Sequence, residues 1–143
     1  DQSSAASDVY KRQILYTIGQ RQGLGIGGIK DKDELPWYVY GKNISKNEIY
    51  VCQGVDNQLL YTENITLDKI HWINDLKEFK HLDCLVQIRH RHKPVKCIIE
   101  FNKGFRVMFD EEIRGVAPGQ SAVFYKDNLC LGGGVIEARN NDL

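Results

Sequence analysis

Residues 118–134, from Pro118 to Gly134, read PGQSAVFYKDNLCLGGG, and this stretch decides the fold of the C-terminal half of the chain. Apolar residues alternate with their neighbours on both sides of Asp127-Asn128, which is the pattern of a β-hairpin with a short turn. Pro118-Gly119 holds Gln120 at a corner between a loop and a strand. The three closing glycines permit unusual backbone conformations or a very close approach of another backbone. The stretch predicts a barrel corner at which Gln120 either faces a partner or has nothing bound.

The composition is that of an ordinary globular protein. Among 143 residues, 42% are hydrophobic, and 19 basic and 19 acidic residues give a formal net charge of zero. Only the local distribution of charge can therefore indicate a nucleic-acid partner. No apolar run approaches transmembrane length and no signal-peptide pattern opens the chain, so we expect a soluble protein without a membrane partner.

The four cysteines predict neither a metal site nor disulfides. Cys52, Cys84, Cys97 and Cys130 form no C-x-x-C pair, and none has a histidine at ligand spacing. Most of them lie in apolar or alternating runs, where a free cysteine behaves as a small hydrophobic residue. We interpret all four as reduced thiols of an intracellular protein.

The pattern of short apolar runs predicts a mainly β protein. Residues 1–13 are polar and lack a hydrophobic period, so they are interpreted as a tail, a tag or the junction of a truncated reading frame. Residues 14–76 are predicted to form a small β-rich domain, in which 64–72 are ambiguous between a strand and a short helix. Residues 77–143 predict a six-stranded antiparallel β-barrel of translation-factor type, whose closure would remove exposed strand edges.

A glycine-rich block near the N-terminus matches the dinucleotide-binding pattern G-x-G-x-x-G between Gly23 and Gly28. That motif needs a helix N-terminus directly after the glycines to hold a pyrophosphate. The chain continues instead as a charged loop that ends at Pro36. We therefore reject nucleotide binding at this block.

Basic residues are concentrated between residues 86 and 106, where Glu100 is the only acidic residue and six residues are basic, a formal charge of +5. The six are Arg89, Arg91, Lys93, Lys96, Lys103 and Arg106. Strand alternation places Arg89 and Arg91 on one face and His90 and His92 on the other. The ribbon predicts a nucleic-acid contact, with a solvated charged strand as the alternative. Neither histidine has a carboxylate or nucleophile at a spacing that indicates catalysis.

Several motifs, in their order along residues 14–139, resemble the bacterial tRNA-specific 2-thiouridylases. They are Tyr16–Gly28, Pro36–Val39, Cys84 with Arg89-x-Arg91, Phe109-Asp110, Pro118–Tyr125 and Cys130–Gly134. The resemblance implies part of an enzyme that thiolates the wobble uridine of tRNA at C2. In that family an N-terminal domain binds ATP with magnesium, adenylates the uridine and delivers sulfur from a cysteine persulfide, which a cysteine desulfurase or a relay protein supplies.

The resemblance covers the family's central domain, over 14–76, and its C-terminal tRNA-binding barrel, over 77–143. It implies that the ATP-binding domain and its catalytic cysteines are absent from this chain. We therefore expect no catalytic residue, cofactor site or metal site here, and no activity of the chain alone. The implied partners are the anticodon arm of tRNA and the N-terminal catalytic domain, in the cytoplasm.

The resemblance also implies which residues contact tRNA. The family's Arg-Tyr pair falls on Arg89-His90, so His90 stands where tyrosine is usual, and the glutamine of its Pro-Gly-Gln corner falls on Gln120. Arg89, Arg91 and Lys93 are expected to contact phosphates, and His90 and Gln120 are expected to act near the flipped uridine.

Two further positions, Gln20 and Arg21, are assigned either to the anticodon loop or to the catalytic domain. A second interpretation makes the chain a stand-alone translation-factor-like barrel that binds RNA or protein without catalysis, because Pro-Gly-Gln corners recur in such barrels. The N-terminal glycine block favours the first interpretation, since a translation barrel has no reason to carry it.

Overall fold

The computed structural model describes residues 18–19, 35–75, 79–89 and 92–139. The chain divides into two compact units, Asp1–Leu60 and Tyr61–Leu143. Antiparallel strands build both units, which confirms the mainly β prediction. Within the described ranges, no helix has the length and apolarity that crossing a membrane would require.

The first unit contains a β-hairpin, β1 (Trp37–Asn43) and β2 (Glu48–Gln53), followed by a short 3₁₀ helix (Gln58–Leu60). Aromatic and β-branched residues favour these strands, as the sequence predicted. The Asn43 carboxamide oxygen closes the turn by accepting hydrogen bonds from the Ser45 hydroxyl at 2.7 Å and the Lys46 amide at 3.0 Å. Val39 and Leu60 are fully buried.

The second unit is one eight-stranded antiparallel sheet in the order β10-β3-β7-β6-β5-β8-β9-β4. Its strands are β3 (Tyr61–Leu67), β4 (His71–Trp72), β5 (His81–Gln87), β6 (Val95–Phe101), β7 (Phe105–Arg114), β8 (Ser121–Lys126), β9 (Leu129–Val135) and β10 (Ala138–Arg139). Because β9 pairs with β8 while β10, directly after it, pairs with β3, residues 129–139 join the two sides of a curled sheet.

The curled sheet agrees with the predicted barrel and extends it at its N-terminal side. Residues 129–139, which contain β9 and β10, can be counted as one bent segment. Six segments then follow one another around the sheet: this one, β3, β7, β6, β5 and β8. The two-residue strand β4 lies beside β9. The ambiguous residues 64–72 contribute β3 and β4, which pair with β7 and β9. The predicted boundary between residues 76 and 77 consequently lies inside this second unit.

One hydrophobic core fills the second unit. The strand period of two turns alternate residues inward, so that Cys84 and Val86 on β5 are buried while their neighbours are partly or largely exposed. Phe124 is fully buried, and the Trp72 ring lies 6.4 Å from it, centroid to centroid. The Trp72 ring also contacts Phe79 and Phe105 edge to face.

The glycine run of β9 exists because other backbones approach it closely. A Cβ atom on Gly132 would overlap the carbonyl of His71, and one on Gly134 would overlap the carbonyl of Lys69. A Cβ atom on Gly133 would lie 2.9 Å from the carbonyl oxygen of Ala122. The predicted close approach is therefore confirmed, and it lets β4 and β8 flank β9.

Candidate nucleic-acid interface

The β7–β8 loop, residues 115–120, is held by two arginines from other strands. Arg89, two residues after β5, donates a hydrogen bond from its guanidinium to the Gly115 carbonyl at 2.9 Å. Arg139, on β10, donates to the Val116 carbonyl at 3.1 Å, and only 4% of Arg139 is exposed. Bonds from a charged donor are stronger than neutral ones, so these contacts fix the base of the loop.

The predicted Gln120 corner is also fixed by hydrogen bonds. The Gln120 side-chain oxygen accepts from the Ala117 amide at 3.0 Å, and the Gln120 amide donates to the Ala117 carbonyl at 3.3 Å. The Gly119 amide donates to the Ile136 carbonyl, and the Ile136 amide donates to the Gln120 carbonyl, both at 2.8 Å. The carboxamide oxygen is thereby engaged within the loop, and the side chain is partly exposed.

Two positions of this loop, its first residue and its tip, have backbone conformations that favour glycine. Gly115 and Gly119 have φ angles of 75° and 88°, in the region that side chains other than glycine rarely adopt. A Cβ atom on Gly119 would meet nothing within 4 Å. Pro118 and Gly119 therefore form an exposed tip, while Gly115 and Val116 are buried beneath it.

The structure brings two of the predicted residues to one end of the barrel. Gln87 on β5 lies opposite Val123 on β8, so Arg89, which follows β5, and Gln120, which precedes β8, are at the same end of this strand pair. Both side chains bond to the β7–β8 loop. Lys93 lies in the connection between β5 and β6 and is exposed. His90, Arg91, Gln20 and Arg21 lie outside the described residues.

Arg91 apart, the basic residues of the predicted ribbon are described by the structure and do not lie together. Arg89 and Lys93 flank the β5–β6 connection, whereas Lys103 and Arg106 lie at the other end of β6. Arg106 faces Glu100 across the strands, and Glu100 in turn contacts His81 at 3.3 Å between Oε1 and Nδ1. Of the ribbon residues that the structure describes, Arg89 and Lys93 lie at the end of the barrel that carries Gln120.

Sequence reasoning missed Arg139. The sequence predicts for Arg139 only that it ends the last strand. Its burial depends on the pairing of β10 with β3, which no local pattern reveals. Among the described residues, no group of three or more His, Cys, Asp or Glu side chains is placed to hold a metal ion.

Comparison with known proteins matches both units of the chain to described domains. A family model for the aminomethyltransferase beta-barrel domain matches residues 62–136, and one for the tRNA methyl transferase PRC-barrel domain matches residues 10–53. The first match covers the strands of the second unit from β3 to the end of β9.

Curated relatives agree with these matches. The chain is 45% identical over 128 residues to the tRNA-specific 2-thiouridylase MnmA of Buchnera aphidicola subsp. Baizongia pistaciae, covering 88% of this chain and 35% of that protein. It is 45% identical over 125 residues to MnmA of Pseudomonas aeruginosa (strain LESB58), covering 87% and 33%. It is 46% identical over 126 residues to MnmA of Hahella chejuensis, covering 87% and 35%.

The chain thus spans about a third of the length of these relatives. The motifs that suggested the resemblance lie in the matched residues, and the β-fold agrees with both family models. This chain belongs to the tRNA-specific 2-thiouridylase family.

Proposed function

We propose that this chain is the tRNA-binding portion of an enzyme that thiolates the wobble uridine of tRNA at C2. The observation that carries the proposal is the convergence of Arg89 and Gln120 on the β7–β8 loop, at one end of the barrel. ATP-dependent adenylation of the uridine and sulfur transfer from a persulfide would be the work of the family's N-terminal domain. The chain by itself would bind tRNA without modifying it.

Arg89 would contact a phosphate of the anticodon arm. Its guanidinium carries several N–H donors, and the bond to Gly115 uses one of its two terminal nitrogens. The side chain is partly exposed, so a phosphate oxygen can approach the remaining donors. The bond to Gly115 would also reduce the entropy that Arg89 loses on binding, because its orientation is already restricted.

Gln120 would contribute a donor rather than a charge. Its carboxamide oxygen is used by the Ala117 amide, which leaves the NH₂ group directed away from that bond. An amide NH₂ can donate to the edge of an unpaired base, and sequence-specific RNA recognition targets such bases. Arg89 would then position the tRNA while Gln120 contacts the nucleotide.

The neighbouring basic residues complete the proposal. Lys93 is exposed in the connection that follows Arg89, and it would add a phosphate contact. Arg91 would add another phosphate contact, His90 would act with Gln120 near the flipped uridine, and Gln20 and Arg21 are weaker candidates. The full-length enzyme would work in the cytoplasm with a cysteine desulfurase or a sulfur-relay protein.

The Arg89→Ala substitution is expected to weaken tRNA binding and to reduce the dependence of log Kd on log salt concentration by about one unit of slope. The measurement is the affinity of the full chain for a transcribed tRNA with a wobble uridine, followed by fluorescence anisotropy over a series of salt concentrations.

Lys80→Ala is a matched control for the loss of one positive charge. Lys80 is exposed and directly precedes β5, whereas Arg89 follows its other end, roughly 30 Å away along the strand. The Lys80→Ala substitution is expected to leave the slope of log Kd against log salt concentration unchanged. Equal slopes for the unsubstituted chain and Arg89→Ala would overturn the assignment of Arg89.

The Gln120→Glu substitution separates the donor of Gln120 from its structural role. A glutamate can still accept the Ala117 amide, so the loop should keep its conformation, but it loses the NH₂ donor and repels phosphates. We expect at least a tenfold loss of tRNA affinity with an unchanged unfolding midpoint. An unaltered affinity would show that Gln120 does not contact tRNA. If Arg89→Ala also left tRNA binding unchanged, the two results together would favour a barrel that binds something other than tRNA.

A further inference from the structure

Two of the free cysteines face each other across neighbouring strands. Cys84 on β5 is the direct partner of Cys97 on β6, and their Sγ atoms are 3.7 Å apart. Both are present as free thiols. Directly opposite residues of an antiparallel pair have Cα atoms about 4.5–5.5 Å apart, which is within the range that a disulfide spans. A disulfide would require the sulfurs to close from 3.7 Å to about 2.05 Å.

The two thiols are not chemically equivalent. Their mutual hydrogen bond lowers the pKa of the Cys84 thiol, burial opposes this change, and the ammonium of Lys126 adds to the lowering. The same hydrogen bond, together with burial, raises the pKa of the Cys97 thiol. The neighbouring charges also differ, because the Lys126 ammonium favours the Cys84 thiolate whereas Asp110 and Asp83 disfavour that of Cys97, and Cys84 is therefore assigned as the nucleophile.

A cleft gives small molecules a path towards this pair. It encloses about 370 Å³ and is lined by the two cysteines, Lys96, Lys126 and three aspartates. Cys84 and Cys97 are only 8% and 2% exposed, so a small uncharged reagent can reach them more readily than a protein thiol can. Cys130 is partly exposed and lies outside this lining.

We propose that Cys84 and Cys97 form a reversible dithiol redox site that reacts with a peroxide. The Cys84 thiolate attacks one peroxide oxygen, the O–O bond breaks, and hydroxide leaves as Cys84 becomes a sulfenic acid. The Cys97 sulfur then attacks the Cys84 sulfur, the S–O bond breaks, and the Cys97 proton leaves with the hydroxyl as water. The hydroxide takes up the proton that Cys84 lost on ionising, so two thiols and one molecule of hydrogen peroxide give one disulfide and two water molecules.

The sequence supports no such pairing by itself. The cysteines are separated by the β5–β6 connection, and each lies in an apolar run that predicts an inert core thiol. The strand register creates the pair, because a shift of one residue would turn one of the sulfurs to the opposite face. The site is independent of the proposed tRNA contacts, since neither thiol belongs to them.

The test treats the full chain, reduced and desalted, with one equivalent of hydrogen peroxide and follows its intact mass. We expect a loss of about 2 Da, a disulfide-linked peptide pair containing Cys84 and Cys97, and full reversal by dithiothreitol. A chain carrying both Cys52→Ser and Cys130→Ser should behave in the same way, because these thiols lie outside the pair.

Single substitutions assign the roles of the two sulfurs. Cys97→Ser should stop the reaction at a sulfenic acid on Cys84, which dimedone traps, whereas Cys84→Ser should react much more slowly. The proposal is overturned if the unsubstituted chain gains oxygen without forming the Cys84–Cys97 bond, or if the Cys52→Ser, Cys130→Ser chain forms no disulfide. The Cys52→Ser, Cys130→Ser chain keeps Cys84 and Cys97, so the test of its disulfide does not depend on how well the single variants of Cys84 and Cys97 fold.

Discussion

The Gly134→Ala substitution is expected to lower the free energy of unfolding by roughly 3 kcal/mol or more, at the upper end of what overpacking costs. The added methyl group would overlap the Lys69 carbonyl and lie 2.9 Å from the Leu67 side chain. Lys69 belongs to the connection between β3 and β4, whose backbone is held by β4 pairing with β9 and cannot move aside cheaply. Relief of the overlap would push β9 away from the β3–β4 connection.

Urea unfolding followed by the fluorescence of Trp72, whose ring lies in the barrel core, measures this effect. A Trp37→Phe background removes the other tryptophan, which belongs to the first unit. Gly119→Ala is the matched control, because its methyl group would meet no atom within 4 Å and would cost only the strain of a φ of 88°. That strain is about 1–2 kcal/mol. Equal losses for the two variants would refute the close approach at Gly134.

The Arg139→Ala substitution is expected to lower the free energy of unfolding by about 3 kcal/mol and to weaken tRNA binding as well. The side chain is almost completely buried and donates to the Val116 carbonyl. Its removal leaves that buried carbonyl without this donor, which costs about 1–3 kcal/mol, and also removes the packing of the aliphatic stem. The β7–β8 loop, which carries Gln120, would lose one of its two arginine anchors.

Urea unfolding and tRNA anisotropy of the same variant separate the two consequences. Lys80→Ala, an exposed charge deletion, should change the free energy of unfolding by no more than about 0.5 kcal/mol. Arg139→Lys keeps the positive charge but replaces the guanidinium by a single ammonium group on a shorter side chain. It should therefore recover only part of the stability that Arg139→Ala loses. If Arg139→Ala unfolded like the unsubstituted chain, Arg139 would not anchor the loop.

Local sequence rules account for the strands and for their turns. Asp127-Asn128 forms the two-residue turn between β8 and β9, with Asp127 at a φ of 53°, as the hairpin pattern predicted. The alternation that buries Cys84 and Val86 follows from the strand period of two. The glycines at residues 132–134 also predicted a possible close approach, whereas the backbones that approach them, and hence the need for glycine, come from the structure.

Sequence alone therefore determined that this chain is mainly β, that Gln120 stands at a loop-to-strand corner, and that residues 132–134 permit a close approach of another backbone. The tertiary structure alone decided that Arg89 and Gln120 share one end of the barrel, that Arg139 lies buried beneath the β7–β8 loop, and that Cys84 faces Cys97. The reason is physical. Turn chemistry and side-chain alternation act over a few neighbouring residues, whereas these three placements depend on which strands pair and in which register.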